Sequence, residues 1–141
     1  MNKVLIPCDG SDSALRAVRH AAEGLGRSSP PSLQLLHVIE PMTAVTLSEA
    51  FAAQGLDDRF PPQAAQALQP AISALDAAGV PYTLHCRFGE PATEIAAHAR
   101  ETGCDAIVMG TRGRGALASL VIGSVAMRVV QQVDIPVTLV K

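Results

Sequence analysis

Residues 79–109 read GVPYTLHCRFGEPATEIAAHARETGCDAIVM, and this stretch decides the fold. Val80 to Arg87 is rich in β-branched and aromatic residues and follows a glycine, as a strand does. Gly89-Glu90-Pro91 then opens a helix, with proline placed early where its missing N–H costs little. Ala92, Ile95, Ala96 and Ala99 recur on one helical face, and Gly103 ends the pattern. Asp105 leads into Ala106-Ile107-Val108-Met109, a second strand. Strand, helix and strand within thirty-one residues form a βαβ unit, whose two strands run parallel.

The same alternation extends in both directions. Upstream, Val4-Leu5-Ile6 is a continuous apolar run suited to a parallel strand covered on both faces. Ser11 or Asp12 caps a helix with Leu15, Val18, Ala22 and Leu25 on one stripe, and Gly24 and Gly26 stop it. Leu33 to Ile39 is the next strand. Positions 43–54 suit a short helix stopped by Gly55, and 57–62 a mobile loop. Ala64, Leu68, Ala71, Ile72, Leu75 and Ala78 form a further helical stripe. Pro70 lies inside it, so the helix either kinks there or is shorter and starts there. Downstream, a glycine-rich loop covers 110–115, and Ala126, Val129, Val130 and Val133 mark the last helix. Pro136 stops that helix, and Val137-Thr138-Leu139-Val140 is the last strand. Five strands joined by four connections of helical character predict an α/β fold, a parallel sheet with right-handed crossovers and helices on both faces.

Composition sets the class. The 141 residues make one domain, 1–141, with 48 % apolar and 17 % charged residues, enough to fill one core and too apolar for disorder. Eleven basic residues against thirteen acidic ones, with no Lys/Arg run, argue against nucleic acid. Aromatics at 3 % leave no stacking platform. No run of about 20 apolar residues spans a membrane. The N-terminus lacks a signal-peptide core, which needs about 7–15 apolar residues. Cys8, Cys86 and Cys104 are an odd number without zinc spacing, which fits a reduced, cytoplasmic protein. His20, His37, His85 and His98 form no metal-ligand pattern, and no serine sits in a nucleophile elbow.

Open parallel sheets bind ligands at the carboxyl ends of their strands, where strand order switches. The loops to inspect are therefore 7–12 and 110–124. The second contains Gly110-Thr111-Arg112-Gly113-Arg114-Gly115 and, before the last helical stripe, Gly123-Ser124. Glycines admit close backbone approach to an anion, and a helix N-terminus offers unpaired N–H groups and partial positive charge. Ser124 adds a hydroxyl, and Arg112 and Arg114 add charge. No GxxxxGK[ST] occurs, so this is not a P-loop. Asp9-Gly10-Ser11-Asp12 replaces the GxGxxG of dinucleotide-binding domains. Asp9 stands at the crevice but also where it can cap the first helix. Cys8 has no cationic neighbour in sequence that would activate a thiol, which favours packing over catalysis.

The spacing Gly110-x2-Gly113-x9-Gly123-Ser124 resembles the G-x2-G-x9-G-[ST] signature of the ATP-binding branch of the universal stress protein family. Lys3 to Ser11, Leu36-His37-Val38 and Ile107 to Thr111 also resemble that family's first, second and fourth strand ends, in order. The resemblance covers essentially the whole chain, except for 40–63. It implies a flavodoxin-like doubly wound domain with strand order 3-2-1-4-5. It further implies that Asp9 and the Gly110 backbone hold a ribose, and that Pro7, Cys8 and the Val38 backbone line an adenine slot with Met109 nearby. Gly113, Gly123, Ser124 and the Val125 N–H would cradle phosphates, with Arg112 beside them. The implied cofactor is ATP, with Mg²⁺ left open. The implied partner is a second copy, paired through Val137 to Val140. The function expected is adenine-nucleotide binding in a stress or regulatory response. A slow ATPase or phosphoryl-transfer enzyme, and a dimeric module without nucleotide, stand as alternatives. The 40–63 segment is expected to be a lid over the adenine side.

Overall fold

The computed structural model describes residues 3–24, 31–40, 60–111 and 122–141. Their elements are β1 (Lys3–Pro7), α1 (Asp12–Glu23), β2 (Ser32–Ile39), α2 (Pro62–Ala78), β3 (Tyr82–Phe88), α3 (Pro91–Thr102), β4 (Ala106–Gly110), α4 (Ser124–Gln132) and β5 (Val137–Val140). The five strands form one parallel sheet in the order β3-β2-β1-β4-β5. The order reverses direction between β1 and β4, so the crevice lies there. The expected short helix at 43–54, the lid at 40–63 and the loop bearing Arg112 and Gly113 fall on or largely within segments outside the described residues.

Each face of the sheet has its own core. On one face Val4, Ile6, Cys8, Leu33 and Leu35 pack with Ala17 and Val18 of α1 and with Leu68 and Leu75 of α2. On the other, Leu5, Leu36, Ile107 and Met109 pack with Ile95 and Ala99 of α3 and Val129 of α4. Successive strand residues thus go to opposite cores, which is why β1 and β4 read as unbroken apolar runs. Leu5, Ile6, Leu35, Leu36 and Ile107 are sealed completely, and each contributes about 1.5–3 kcal/mol by burial.

The helices start and stop for local reasons. The Ser11 hydroxyl accepts the Ala14 N–H at 3.2 Å and caps α1. Glu90 caps α3 by accepting from the Ala92 and Thr93 N–H groups, with Pro91 in the first turn. These bonds hold the Glu90 carboxyl below its usual range, the Thr93 hydroxyl bond first among them. Gly79 and Gly103 close α2 and α3 in the left-handed conformation.

Three details differ from the sequence expectation, and a fourth decides between two alternatives. The buried stripe of α1 is Ala14, Ala17, Val18 and Ala21, rotated from the expected Leu15, Val18 and Ala22, while Leu25 lies outside the described residues. Small residues let α1 lie close to the sheet, while Leu15 turns toward α2. Pro70 does not start a shorter helix: α2 runs through it, as the longer of the two expected helices does, and the burial of Leu68 and Leu75 offsets its cost of about 3 kcal/mol. Strand β3 begins at Tyr82 because Pro81 cannot donate to the ladder. On α4, Val130 is 47 % exposed and the helix ends at Gln132, ahead of Pro136.

Candidate functional site

At the carboxyl end of β1 the chain turns sharply. The Asp9 carboxylate accepts the Ser11 N–H at 2.9 Å, and Gly10 takes φ of +85°, a conformation that favours glycine. Ser11, rather than Asp9, caps α1. Asp9 therefore shapes the turn, and a carboxylate has lone pairs for more than one donor. Cys8 is 4 % exposed, and its thiol is pushed up to about 12, by burial first and by Asp9 second. A thiol so held is no nucleophile near neutral pH, which agrees with packing over catalysis.

Between β1 and β2 the ladder stops short. Its register runs from Lys3↔Ser32 to Pro7↔Leu36, and the Cys8 N–H still reaches the Leu36 carbonyl at 2.8 Å. Leu36 thus turns its backbone polar groups toward β1, and so does Val38, two residues on. Ile39 faces the other way, its carbonyl accepting the Gly89 N–H beside β3 at 3.0 Å. The Val38 N–H and C=O accordingly point into the gap that opens where β1 ends.

Across the crevice, β4 ends against the first turn of α1. A Cβ built on Gly110 would stand 2.7 Å from the Ser13 carbonyl carbon and 2.8 Å from its oxygen. Only glycine allows that approach. The next residue, Thr111, connects two further elements. Its N–H donates to the Val140 carbonyl of β5 at 3.0 Å, and its carbonyl accepts the Gly123 N–H at the mouth of α4. Gly123 is the N-cap of α4 and supplies no side-chain bond to the first turn. The leading N–H groups of α4, which no intrahelical carbonyl can satisfy, thus carry no side-chain cap. They carry the partial positive charge of the helix end.

The residues singled out from sequence are spread over several elements. Val38, Met109 and Val125 belong to one apolar cluster on the α3/α4 face, with Met109 only 5 % exposed. Pro7, Cys8 and Asp9 end β1, Gly110 sits against α1, and Gly123 and Ser124 open α4. Arg112 and Gly113 lie outside the described residues. Sequence reasoning treated His37 as one of four scattered histidines. In the structure it is buried, and its Nδ1 lies 2.7 Å from the Cys8 carbonyl oxygen, directly at the gap. Its one sequence signal is its position between Leu36 and Val38 at the strand end.

Polar groups elsewhere are internally matched. The Gln34 Oε1 lies 3.1 Å from His98 Nε2, 3.2 Å from the Thr102 hydroxyl and 3.5 Å from the Cys104 sulfur. Arg87 pairs with Glu94 at 2.9 Å and Glu101 at 2.7 Å. Among the described residues no group of three His, Cys, Asp or Glu could hold a metal ion, and no helix is long and apolar enough to cross a membrane. A cavity of about 10 Å³ between α1 and α2, lined in part by Cys8, Gly10 and Ala67, has room for little more than one water.

Known proteins share this architecture over the whole chain. The family model for the universal stress protein family matches residues 1–141. A universal stress protein of Methanocaldococcus jannaschii is 30 % identical over 139 residues, spanning 99 % of this chain and 81 % of its own. The solved structure of the protein MJ0577 superimposes with a TM-score of 0.80 at 27 % identity, covering 99 % of this chain and 95 % of that one. A universal stress protein in complex with cAMP superimposes with a TM-score of 0.70 at 27 % identity, covering 99 % and 97 %. One from Archaeoglobus fulgidus in complex with dAMP does so with a TM-score of 0.70 at 26 % identity, covering 100 % and 98 %. With the family model matched end to end and the strand order the same as the signature implied, the chain belongs to the universal stress protein family.

Proposed function

We propose that this protein binds an adenine nucleotide in the crevice between the carboxyl ends of β1 and β4, and that binding rather than turnover is its activity. The observation that carries the reading is the uncapped N-terminus of α4, tied through Thr111 to the end of β4 at the point where strand order reverses. Phosphate is the natural ligand of such a helix end. Gly123, Ser124 and the Val125 N–H would receive it, with Arg112 and Gly113 completing the loop. Asp9 and the Gly110 backbone would take the ribose. Pro7, Cys8, the Val38 backbone and Met109 would border the base. Two family members of the same fold have been captured with adenine mononucleotides, which supports the choice of base.

ATP, with or without Mg²⁺, is the nucleotide that the phosphate loop favours. Fast hydrolysis needs a group that orients or deprotonates water, besides charge stabilisation. The 110–124 loop contains no Asp, Glu, His or Gln, so the machinery favours a sensor or regulatory module in a stress response. The module would be a homodimer. Strand β5 is an edge strand of the sheet, and Met127 and Val130 of α4 are 48 % and 47 % exposed. A strand edge unpaired among the described residues, and exposed apolar side chains on the helix before it, invite a second copy.

Mass spectrometry of ligand released from purified protein, followed by titration with ATP, AMP and cAMP, tests the reading. An adenine nucleotide bound at micromolar affinity supports it. No binding of any of the three at millimolar concentration overturns it in favour of an interaction module without nucleotide. Phosphate release near 1 s⁻¹ or faster from ATP and Mg²⁺, lost in Gly123→Val, would make it an enzyme.

A further inference from the structure

We infer that His37 is the positioning residue that keeps the Val38 N–H available to a nucleobase, by drawing aside the Cys8 carbonyl that would otherwise pair with it. This inference rests on the proposed binding of an adenine nucleotide. A regular parallel ladder that has reached Cys8 N–H to Leu36 O continues with Val38 N–H to Cys8 O. Here the register ends at Pro7↔Leu36, and the Cys8 carbonyl instead lies 2.7 Å from His37 Nδ1. A carbonyl only accepts, so Nδ1 carries the hydrogen and donates it; the oxygen keeps a second lone pair, so it is the direction in which His37 holds it that turns it away from the Val38 N–H.

The other ring nitrogen makes the purpose of this bond clearer. His37 is 8 % exposed, and its buried Nε2 has no hydrogen-bond partner among the described residues. A buried polar atom without a partner is unfavourable, and an apolar side chain would fill the same space without one. What histidine provides at this position is therefore the Nδ1 bond. That bond ends the β1–β2 pairing one step early. It leaves a backbone donor and a backbone acceptor of Val38 facing the gap, a pattern that suits a base edge presenting one acceptor and one amino donor. Adenine presents such an edge; the guanine Watson–Crick edge reverses it.

Three variants separate the parts of the imidazole. In His37→Asn the side-chain amide occupies the place of Nδ1, in His37→Gln that of Nε2, and in His37→Leu neither nitrogen has a replacement. Adenosine and inorganic tripolyphosphate are titrated separately as probes of the base and phosphate sides. Adenosine affinity should fall about tenfold in the Leu and Gln variants, about one hydrogen bond's worth, and stay within about twofold in Asn. Tripolyphosphate affinity should be unchanged in all three. Equal losses in Asn and Leu, or a parallel loss of tripolyphosphate, would assign His37 a merely structural role and overturn the inference. Amide exchange without ligand tests the ladder independently of any nucleotide. The Val38 amide should exchange fast in wild type and in Asn, and at least tenfold more slowly in Leu, where the ladder can extend. Identical exchange in all three overturns the inference even if nucleotide binds. Failure of wild type to bind either probe would instead sink the nucleotide reading and leave the exchange result to decide the role of His37.

Discussion

Gly110→Ala is the smallest change that bears on both the fold and the crevice. The new Cβ would meet the Ser13 carbonyl carbon at 2.7 Å and its oxygen at 2.8 Å. Carbon atoms in contact prefer about 3.5–4.0 Å, so β4 and the first turn of α1 must part by nearly 1 Å. Neither is free to do so. The Ser13 side chain is buried, and α1 is pinned to the sheet by Ala14, Ala17 and Val18. Overpacking of this kind costs about 1–3 kcal/mol. Alanine recovers roughly 0.5–1 kcal/mol by restricting the unfolded chain. The net expectation is a loss of about 2 kcal/mol, near the upper part of the overpacking range because the obstacle is backbone. In urea, with a slope of about 1–3 kcal/mol per molar, the midpoint should fall by about 1 M.

Gly79→Ala is the control. Gly79 has φ of +69° with no atom within 4 Å of the added carbon, so only the left-handed backbone is penalised, by about 1–2 kcal/mol. It sits at the far end of α2 and should leave nucleotide affinity untouched. Gly110→Ala should weaken nucleotide about tenfold as well, because α1 carries the Asp9–Ser11 turn with it. A loss of stability below 0.5 kcal/mol, measured at fixed protein concentration under reducing conditions, would refute the close-contact reasoning.

Three further outcomes follow from the same geometry. Gly123→Val, whose φ of −63° any residue adopts, should fold normally and weaken ATP by about 1–3 kcal/mol in calorimetric titration; unchanged affinity would remove α4 from the site. In β5 the Val140 carbonyl pairs with β4, so Thr138 also faces β4 and the outward donors are Val137 and Leu139; Leu139→Pro should therefore shift a sedimenting dimer toward monomer, and a monomeric wild type at micromolar concentration would count against pairing through this edge. His98 is held to about 4, by burial first and then by His85 and Arg87, while the unfolded side chain titrates near 6.5. The unfolded chain binds the extra proton between those values, so stability is retained above pH 6.5 and lost as pH falls toward 4, by on the order of 2 kcal/mol. His98→Gln keeps a donor toward Gln34 without that titration, and its stability should vary less between pH 7 and pH 4.5 than the wild type's; equal acid sensitivity in chemical denaturation would exclude His98 as a cause.

The strands were legible because both sheet faces are covered. Val4-Leu5-Ile6 and Ala106 to Met109 are apolar at every position, and burial on two sides is what makes them so. The face of α1 was not legible. Ala14, Ala17 and Ala21 carry little hydrophobic signal, whereas Leu15 carries much, so periodicity favoured the larger residue. The controlling fact is tertiary: the sheet is close enough at Gly110 that only small side chains fit beneath α1. At Pro70 both the local penalty and the stripe containing Leu68 and Leu75 are visible in sequence, and only how completely that stripe is buried decides that the helix continues.

The crevice divides along the same line. Gly110, Gly123 and Ser124 stand out in sequence through the signature they share with the universal stress protein family, since glycines in a loop also suit a plain tight turn. His37 does not, since an isolated buried histidine is ordinary until its partner is known. The partner depends on where two strands stop pairing, and register is a property of the assembled sheet. This matters for how the site would work. Backbone groups at a sheet's carboxyl end are consumed by the ladder unless something ends it. Proline and glycine end it by lacking a donor or by turning the chain. A side chain that claims a backbone carbonyl ends it while leaving the neighbouring N–H in place. At Cys8 the structure does the last of these, two residues before the Gly10 turn would have done so anyway. Val38 then keeps a donor and an acceptor turned toward the place where β1 has ended, because the ladder stops before the Gly10 turn instead of at it.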